Sequence, residues 1–220
     1  MRCACTRQQR KTGDYVAVKK FLLIGMALIA LAAGLLTANF WLAPKAILLT
    51  TGTHLTEPRE LPDFALTDQN NALVHKDDWR GHWTLVFPGF SYCPDVCPTT
   101  LGFLKQLSAA LGTPSTQLKI VFFSVDPERD TPQRLHDYIR FYSPNFSTVT
   151  AREPQLGAFA KALAVAYTKV PGKTPDSYQM DHSAALILID PQARISAFFS
   201  LPFQLGPMTS DLKALLAQKP

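Results

Sequence analysis

A run of 22 residues without a charge, FLLIGMALIALAAGLLTANFWL at 21–42, separates a short N-terminal tail from the rest of the chain. As a helix this run is long enough to cross a hydrocarbon core of about 30 Å. Trp41, near its far end, suits the membrane interface. A cleaved signal peptide is the alternative, but its apolar core is usually only about 7–15 residues long. The run therefore predicts an uncleaved transmembrane anchor at 21–42.

The distribution of charge sets the expected orientation of this anchor. The tail at 1–20 contains six basic residues and one acid, and the remaining 200 residues contain sixteen of each. Because basic residues flank the cytoplasmic side of a membrane span, we expect the tail in the cytoplasm and the rest outside. In a bacterium this is a single-pass protein of the inner membrane with a periplasmic domain. The exported part has no basic surplus for binding nucleic acid.

The pattern after the anchor predicts an irregular linker at 43–60 and an α/β domain at 61–220. DFALTD and ALVHK predict a short hairpin as an N-terminal extension, and a polar loop is expected at 169–182. Apolar runs and helical spacing predict strands at 84–90, 119–125, 147–150, 184–190 and 194–200, and helices at 98–111, 131–142, 153–167 and 209–218. Alternating strands and helices favour a mixed, mainly parallel sheet flanked by helices, with an antiparallel end. A cysteine pair between the first long strand and its helix is the thioredoxin arrangement.

Two of the four cysteines, Cys93 and Cys97, lie in the exported domain, within GFSYCPDVCP at 89–98. Each precedes a proline, which disfavours helical backbone at both cysteines. A helix that begins at Pro98 would place Cys97 at or near its N-cap, where a thiolate is favoured. Cys3 and Cys5 belong to the tail and are interpreted as incidental.

Three roles remain open for this pair. A structural disulfide closing so short a loop would stabilise the fold by about 2 kcal/mol. A redox dithiol is the second role. The third is a soft-metal site, since two thiolates select copper(I) or zinc. A peroxidatic site would need Thr or Ser and Arg around the sulfur, and no such set is visible beside either cysteine.

A metal site of this kind needs a third ligand, and His182 is the candidate among the five histidines. In the thioredoxin arrangement the loop before the strand at 184–190 carries a proline and packs over the cysteine turn. Here that loop reads Asp181-His182-Ser183. Met180 is a weaker candidate, and Asp95 fits either a turn residue or a group hydrogen-bonded near the metal.

Three motifs together resemble the Sco/SenC family of membrane-anchored, thioredoxin-like copper-binding proteins: GFSYCPDVCP, SVDPERDTP and MDHSAALILIDP. The resemblance covers about residues 60–200. It implies that Cys93, Cys97 and His182 are ligands of one copper ion, as Cu(I) or Cu(II). It also implies a role in assembling cytochrome c oxidase, by delivering copper to the CuA centre of subunit II or by keeping that subunit's cysteines reduced. Periplasmic copper donors and thioredoxin-like reductants would be further partners.

The second motif contains four charged residues in a row of five, Asp126, Glu128, Arg129 and Asp130. They follow a predicted strand close to the cysteine turn. Such a cluster fits either a surface that faces a partner or an ion-paired loop. We favour the loop.

Overall fold

The computed structural model describes residues 20–37, 48–112, 117–174 and 177–217. The predicted cytoplasmic tail, except Lys20, and the end of the predicted anchor at 38–42 lie outside these residues, as do Cys3 and Cys5. Two compact units divide the chain between Ala46 and Ile47. Each unit is described by itself.

The first unit contributes one helix, α1 (Lys20–Thr37), to the described residues. Its 18 residues rise about 27 Å at 1.5 Å each, close to the thickness of a hydrocarbon core. No residue of the helix is buried within the structure. The side chain of Thr37 donates to the carbonyls of Ala33 and Gly34 one turn earlier, which satisfies its hydroxyl inside the helix. In length and composition α1 is a candidate membrane span.

The second unit is built on an eight-stranded mixed sheet with the strand order β1-β10-β9-β4-β5-β6-β2-β3. Strands β4, β5 and β6 are parallel to one another, whereas β9 pairs antiparallel with β4 and β10. A separate two-stranded sheet joins β7 to β8. The strand bounds are β1 (Gly52–Glu60), β2 (Ala65–Asp68), β3 (Leu73–His75), β4 (Trp83–Gly89), β5 (Leu118–Ser124), β6 (Phe146–Thr150), β7 (Tyr167–Pro171), β8 (Tyr178–His182), β9 (Leu186–Ile189) and β10 (Arg194–Phe199).

Both faces of the sheet are covered, because side chains of the central strands alternate between two cores. Leu85 and Phe87 of β4 enter one core, and Val86 between them enters the other. The first core lies under α2 (Val96–Leu111), α3 (Pro132–Tyr142) and α5 (Leu205–Leu216), and the second under α4 (Gln155–Ala162) and the 3₁₀ turn Lys76–Trp79. The predicted α/β class with a mixed, helix-flanked sheet is confirmed.

Most predicted elements occur within a few residues of their expected bounds. The hairpin β2–β3 forms around a turn in which the Asp68 carboxylate accepts from the amides of Asn70 and Ala72. Helix α3 begins as expected, with Thr131 at the N-cap accepting from the amide of Arg134 and Pro132 in the first turn. Helix α4 ends five residues early, since Ala164 adopts a left-handed φ of 58°, and α5 begins four residues earlier than expected.

The expectation of irregular backbone throughout 43–60 is wrong for residues 52–60, which form β1 at the edge of the sheet. Its ladder to β10 is interrupted between His54 and Arg59. This interruption accommodates Pro58, which cannot donate to a regular ladder. A proline and three charged side chains in nine residues hide the strand in the sequence. The boundaries of the four predicted segments stay predictions.

The expectation of a polar loop at 169–182 is also wrong, because these residues form most of the hairpin β7–β8. One face of the hairpin is turned to solvent, so its side chains are polar although its backbone is extended. In β8 buried or half-buried residues alternate with exposed ones, which is the period of a half-buried strand. His182 is the last residue of β8.

Candidate metal centre

Cys93 and Cys97 lie where β4 passes into α2, in a segment that we call the cysteine turn (residues 90–97). The amide of Cys93 donates to the carbonyl of Phe90 at 3.2 Å. The amide of Cys97 in turn donates to the sulfur of Cys93 at 3.4 Å. Cys93 is half-buried, Cys97 is fully buried, and both are free thiols. The turn therefore presents one accessible sulfur and one that belongs to the core.

The helix after the turn begins two residues earlier than predicted, with Asp95 at the N-cap and Val96 as its first residue. Cys97 consequently lies in the first helical turn, contrary to expectation. Its sulfur points into the first core, where an added Cβ at Gly89 would come within 2.9 Å of it. Burial raises the pKa of the Cys97 thiol well above its ordinary value, and the neighbouring Cys93 adds to the rise. Burial therefore opposes the preference for thiolate that a helix N-terminus would give.

The hairpin β7–β8 brings His182 to this buried sulfur from the other side. The distance from the Cys97 sulfur to His182 Nε2 is 3.7 Å. His182 Nδ1 lies 3.0 Å from the carbonyl oxygen of Ser183. Because a carbonyl can only accept, this contact needs the proton on Nδ1, and the lone pair of Nε2 then faces the thiol. The ring also packs edge-on against Phe90, with centroids 5.8 Å apart.

A cavity of about 270 Å³ opens between the cysteine turn and the hairpin. Cys93, Met180 and His182 line it, together with Asp95, Asp181 and Leu201 among others. Met180 and His182 share the half-buried face of β8, so the thioether lies in the same opening as the imidazole. Asp95 is exposed, and its carboxylate accepts from the Thr99 hydroxyl at 3.4 Å. That contact fits its turn-forming role.

The donor set suits a soft or borderline cation, but it is open. In the described ranges no three His, Cys, Asp or Glu side chains are already gathered into a coordination sphere. Cys97 and His182 are near each other, and Cys93 lies beside Cys97. Holding an ion would require the three donor atoms to draw closer together. Two sulfurs and one neutral imidazole favour the binding of copper over that of magnesium or calcium.

The other four histidines lie elsewhere in the domain. His54 is on β1, His75 on β3 and His136 on α3, beside Asp137. His82 is buried just before β4, and burial lowers its pKa. Within the described residues, His182 is the histidine that lines the cavity with Cys93.

The charged motif after β5 is an ion-paired loop, as favoured. Asp126 and Asp130 are buried, and Arg129 Nε donates to Asp126 at 2.6 Å. Asp130 accepts from the amide and hydroxyl of Ser91 and from the hydroxyl of Ser124. Burial raises the pKa of Asp130, although these hydrogen bonds oppose the rise. The loop thereby holds the strand end that carries the cysteine turn.

Several side chains around the turn were not anticipated. Arg134 Nε donates to the hydroxyl of Ser91 at 2.6 Å, so a serine of the turn does meet an arginine. The Ser91 hydroxyl, however, donates to Asp130 at 2.5 Å and not to a cysteine. Tyr92 and Tyr178 also pack here, against arginine side chains. Tyr92 lies within GFSYCPDVCP, but the sequence does not show which side chains it contacts.

Comparison with known proteins identifies the family. The SCO1/SenC family model matches residues 53–217. The SCO2-like protein of Rickettsia prowazekii is 37% identical over 139 residues, which cover 63% of this chain and 68% of that one. The copper-bound structure of Bradyrhizobium japonicum ScoI is 34% identical, covers 70% of this chain and 98% of that chain, and has a TM-score of 0.65.

A second solved structure, apo Sco1 from Thermus thermophilus, is 30% identical to this chain. It covers 78% of this chain and 98% of its own, with a TM-score of 0.65. These likenesses confirm the thioredoxin-like fold of the second unit, and the described arrangement of strand, cysteine turn and helix belongs to that fold. The family match spans both the cysteine turn and the histidine-bearing hairpin. The chain belongs to the SCO1/SenC family.

Proposed function

We propose that this chain is a membrane-anchored copper chaperone that binds one copper ion through Cys93, Cys97 and His182. The observation that carries the proposal is the approach of His182 Nε2 to the Cys97 sulfur at 3.7 Å, with Cys93 adjacent at the mouth of the cavity. The donors come from two elements separated by 85 residues in sequence. Their chemistry matches copper, and a relative of the same family has been solved with copper bound.

The residues around the site account for how such cargo would be held. Thiolate is the ligand form of cysteine, so binding must displace the protons of Cys93 and Cys97. The buried thiol of Cys97 resists losing its proton without a cation. The carbonyl of Ser183 keeps the proton of His182 on Nδ1 and leaves Nε2 for the metal. Two thiolates favour Cu(I), and an added imidazole also suits Cu(II).

The proposed setting is the inner membrane of a bacterium. Helix α1 would be the single-pass anchor, with the basic tail in the cytoplasm and the copper-binding domain in the periplasm. The proposed recipient is the CuA centre in subunit II of cytochrome c oxidase, as the family resemblance implies. Periplasmic copper donors and thioredoxin-like reductants would act before it.

Anaerobic copper titration of the full chain in detergent tests the proposal. We expect one equivalent of tightly bound copper for the reduced protein. Affinity should collapse in Cys93→Ala and Cys97→Ala and, for Cu(II), in His182→Ala, while His136→Ala, which removes a histidine from α3, should bind as the original chain does. Unchanged copper binding in His182→Ala would overturn the three-ligand assignment.

A second candidate function is thiol–disulfide exchange with the cysteines of subunit II. The adjacency of the half-exposed Cys93 and the buried Cys97 favours it. The reduced pair would give two electrons and two protons to a substrate disulfide and itself become a Cys93–Cys97 disulfide. This activity needs no imidazole. Oxidase assembly in cells that is retained by His182→Ala and lost in Cys93→Ala would support exchange over copper delivery.

A further inference from the structure

Five side chains form an alternating stack of cations and aromatic rings beside the candidate site. We call it the cation–ring stack; in order it contains Arg134, Tyr92, Arg129, Tyr178 and Lys169. Arg134 Cζ lies 3.8 Å from the Tyr92 ring centroid, and Arg129 Cζ lies 4.7 Å from the same centroid. Arg129 Cζ is 3.6 Å from the ring of Tyr178, and Lys169 Nζ is 3.9 Å from that ring. The stack therefore runs from α3 across the cysteine turn to the hairpin.

Arg129 is the member that joins the two parts of the site. Tyr92, on one side of it, immediately precedes Cys93. Tyr178, on the other side, lies four residues before His182 on the same face of β8, because strand side chains repeat every two residues. A guanidinium is planar and can stack on both rings at once, whereas an ammonium cannot.

Hydrogen bonds fix Arg129 in this position. Its Nε donates to Asp126 at 2.6 Å, and its Nη1 donates to the backbone carbonyl of Tyr178 at 3.0 Å. The Tyr178 hydroxyl donates to the same Asp126 carboxylate at 2.7 Å. These three residues close a ring of contacts between the loop after β5 and the start of β8. Asp126 is 2% exposed and the Arg129 side chain 18% exposed, so the pair is largely withdrawn from water.

Stability alone is a weak reason for such an arrangement. Withdrawing an ion pair from water carries a desolvation cost that offsets much of its attraction. Arg129 Nη2 is moreover buried without a hydrogen-bond partner among the described atoms, which adds to the cost. What the arrangement does supply is a fixed geometry between two elements.

The β7–β8 hairpin is held against the rest of the domain by side-chain contacts. In the described residues, β7 and β8 pair with each other and with no strand of the eight-stranded sheet. Polar links from the hairpin to the rest of the domain come from Asp126, Glu128 and Arg129, from Glu153 at Tyr167, and from Cys97 at His182. Arg129, in the loop after β5, also contacts Phe90 and Tyr92 of the cysteine turn.

We propose that Arg129 is a positioning residue that holds the β7–β8 hairpin over the cysteine turn and thereby sets the approach of His182 to the thiols. The part that concerns copper rests on the proposed function. Arg129 touches no cargo in this proposal and acts through Tyr92 and Tyr178. Losing it would loosen the hairpin over the cysteine turn while leaving the sheet intact.

The test compares Arg129→Lys with Arg134→Lys in the full chain. Both substitutions keep the charge, and both original side chains stack on Tyr92, but of the two it is Arg129 that donates to the hairpin, at the carbonyl of Tyr178. In the metal-free protein, amide hydrogen exchange in β8 should be about tenfold faster or more in Arg129→Lys, with β4 and β5 unchanged. Arg134→Lys should leave exchange in β8 as it is in the original chain.

With copper, Arg129→Lys should weaken binding by about 10–100-fold, the range for groups that orient ligands. Its Cu(II) spectrum should shift toward that of His182→Ala, whereas Arg134→Lys should keep the original spectrum. Unchanged β8 exchange in a folded Arg129→Lys would overturn the proposal, as would an equal effect from Arg134→Lys. If the original chain binds no copper, the proposed function fails, and the exchange measurement still decides the positioning role.

Discussion

The cysteine turn and the β7–β8 hairpin face each other across one cavity, but they are built in different ways. The turn continues from β4, a central strand whose seven residues are all buried, and it leads into α2, which packs on the same core. The hairpin is a two-stranded sheet outside the main sheet, and four of the five residues of β7 are exposed. One half of the site is therefore part of the core, and the other is attached to it.

This difference predicts different behaviour for the donors. Cys97 can move only if the packing around β4 moves, since its sulfur lies against Gly89 and Phe90 is buried beside it. His182 can move with the hairpin, whose links to the domain are mostly side-chain contacts. Segments with few buried contacts open at lower free energy than core strands. In the proposed copper site, the imidazole is thus the donor whose distance is easier to change during uptake or release.

Removing one donor from each half gives the largest expected contrast. Cys97→Ala should abolish stoichiometric binding of both Cu(I) and Cu(II), because a core thiolate is lost. His182→Ala should lower Cu(II) affinity by on the order of 100-fold or more and Cu(I) affinity by less, since Cu(I) favours the two remaining thiolates. Competition with chelators specific for each oxidation state measures both.

The matched control for that contrast is Met180→Leu, which removes a thioether from the same face of β8 while keeping its volume. We expect it to leave Cu(II) binding unchanged. Equal losses of Cu(I) and Cu(II) in His182→Ala would contradict the division of the site into a thiolate half and an imidazole half.

Displacing the buried sulfur without removing it should have the next largest effect. In Gly89→Ala the new Cβ would lie 2.6 Å from a Phe122 ring carbon and 2.9 Å from the Cys97 sulfur. Such overpacking costs about 1–3 kcal/mol of unfolding free energy, and a shifted sulfur should also weaken copper binding. Urea unfolding and copper titration of the same variant measure the two effects.

Gly102→Ala is the control for that substitution. Gly102 lies within α2, and a Cβ there meets nothing within 4 Å. Alanine should raise the free energy of unfolding by about 0.5–1 kcal/mol and leave copper binding unchanged. If Gly89→Ala behaved like Gly102→Ala, the buried position of the Cys97 sulfur would be wrong.

The two halves also differ in how well the sequence predicts them. Strands β4 and β5 are nearly continuous apolar runs, which is typical of strands covered on both faces, and their bounds were predicted to within about a residue. The position of His182 opposite the cysteines follows from the order of elements. Periodicity and element order therefore suffice for the core and for the choice of candidate donors.

The hairpin shows where sequence patterns stop being informative. The solvent face of β7 and β8 carries polar side chains, so the segment reads as a loop. The sequence also does not show that Cys97 is buried, because Pro98 predicts a helix start at that residue, whereas the helix begins at Val96. The sequence does not predict the role of Arg129 either, because its contacts join residues 92 and 178, which only the folded chain brings together.

A substitution far from the cavity should separate stability from copper binding. Asp211 of α5 is 5% exposed and accepts from the amides of Thr50 and Thr51 just before β1. Burial alone would raise its pKa, but these hydrogen bonds outweigh burial and hold the pKa of Asp211 below its ordinary value. Asp211→Asn should lower the free energy of unfolding at neutral pH by about 1–3 kcal/mol, with copper affinity unchanged.

The pH dependence of that loss has a definite sign. A carboxylate with a lowered pKa in the folded state contributes stability above its unfolded pKa of about 3.9, and this contribution disappears as pH falls through the folded pKa. The difference between Asp211→Asn and the original chain should therefore shrink below about pH 4. Urea unfolding across this range measures it. A difference that grew toward low pH would contradict the assigned hydrogen bonds.

The smallest effect is expected at the outer end of the cation–ring stack. Lys169 Nζ lies 2.6 Å from Glu128, where both side chains are exposed, and the lysine hydrogen bond lowers the pKa of Glu128. Lys169→Met should speed hydrogen exchange in the hairpin only slightly, and the effect should fade at high salt because exposed charges are screened. Lys161→Met, at an exposed position on α4, is the control. A larger effect from Lys169→Met than from Arg129→Lys would mean that the surface ion pair, and not the buried guanidinium, holds the hairpin over the thiols.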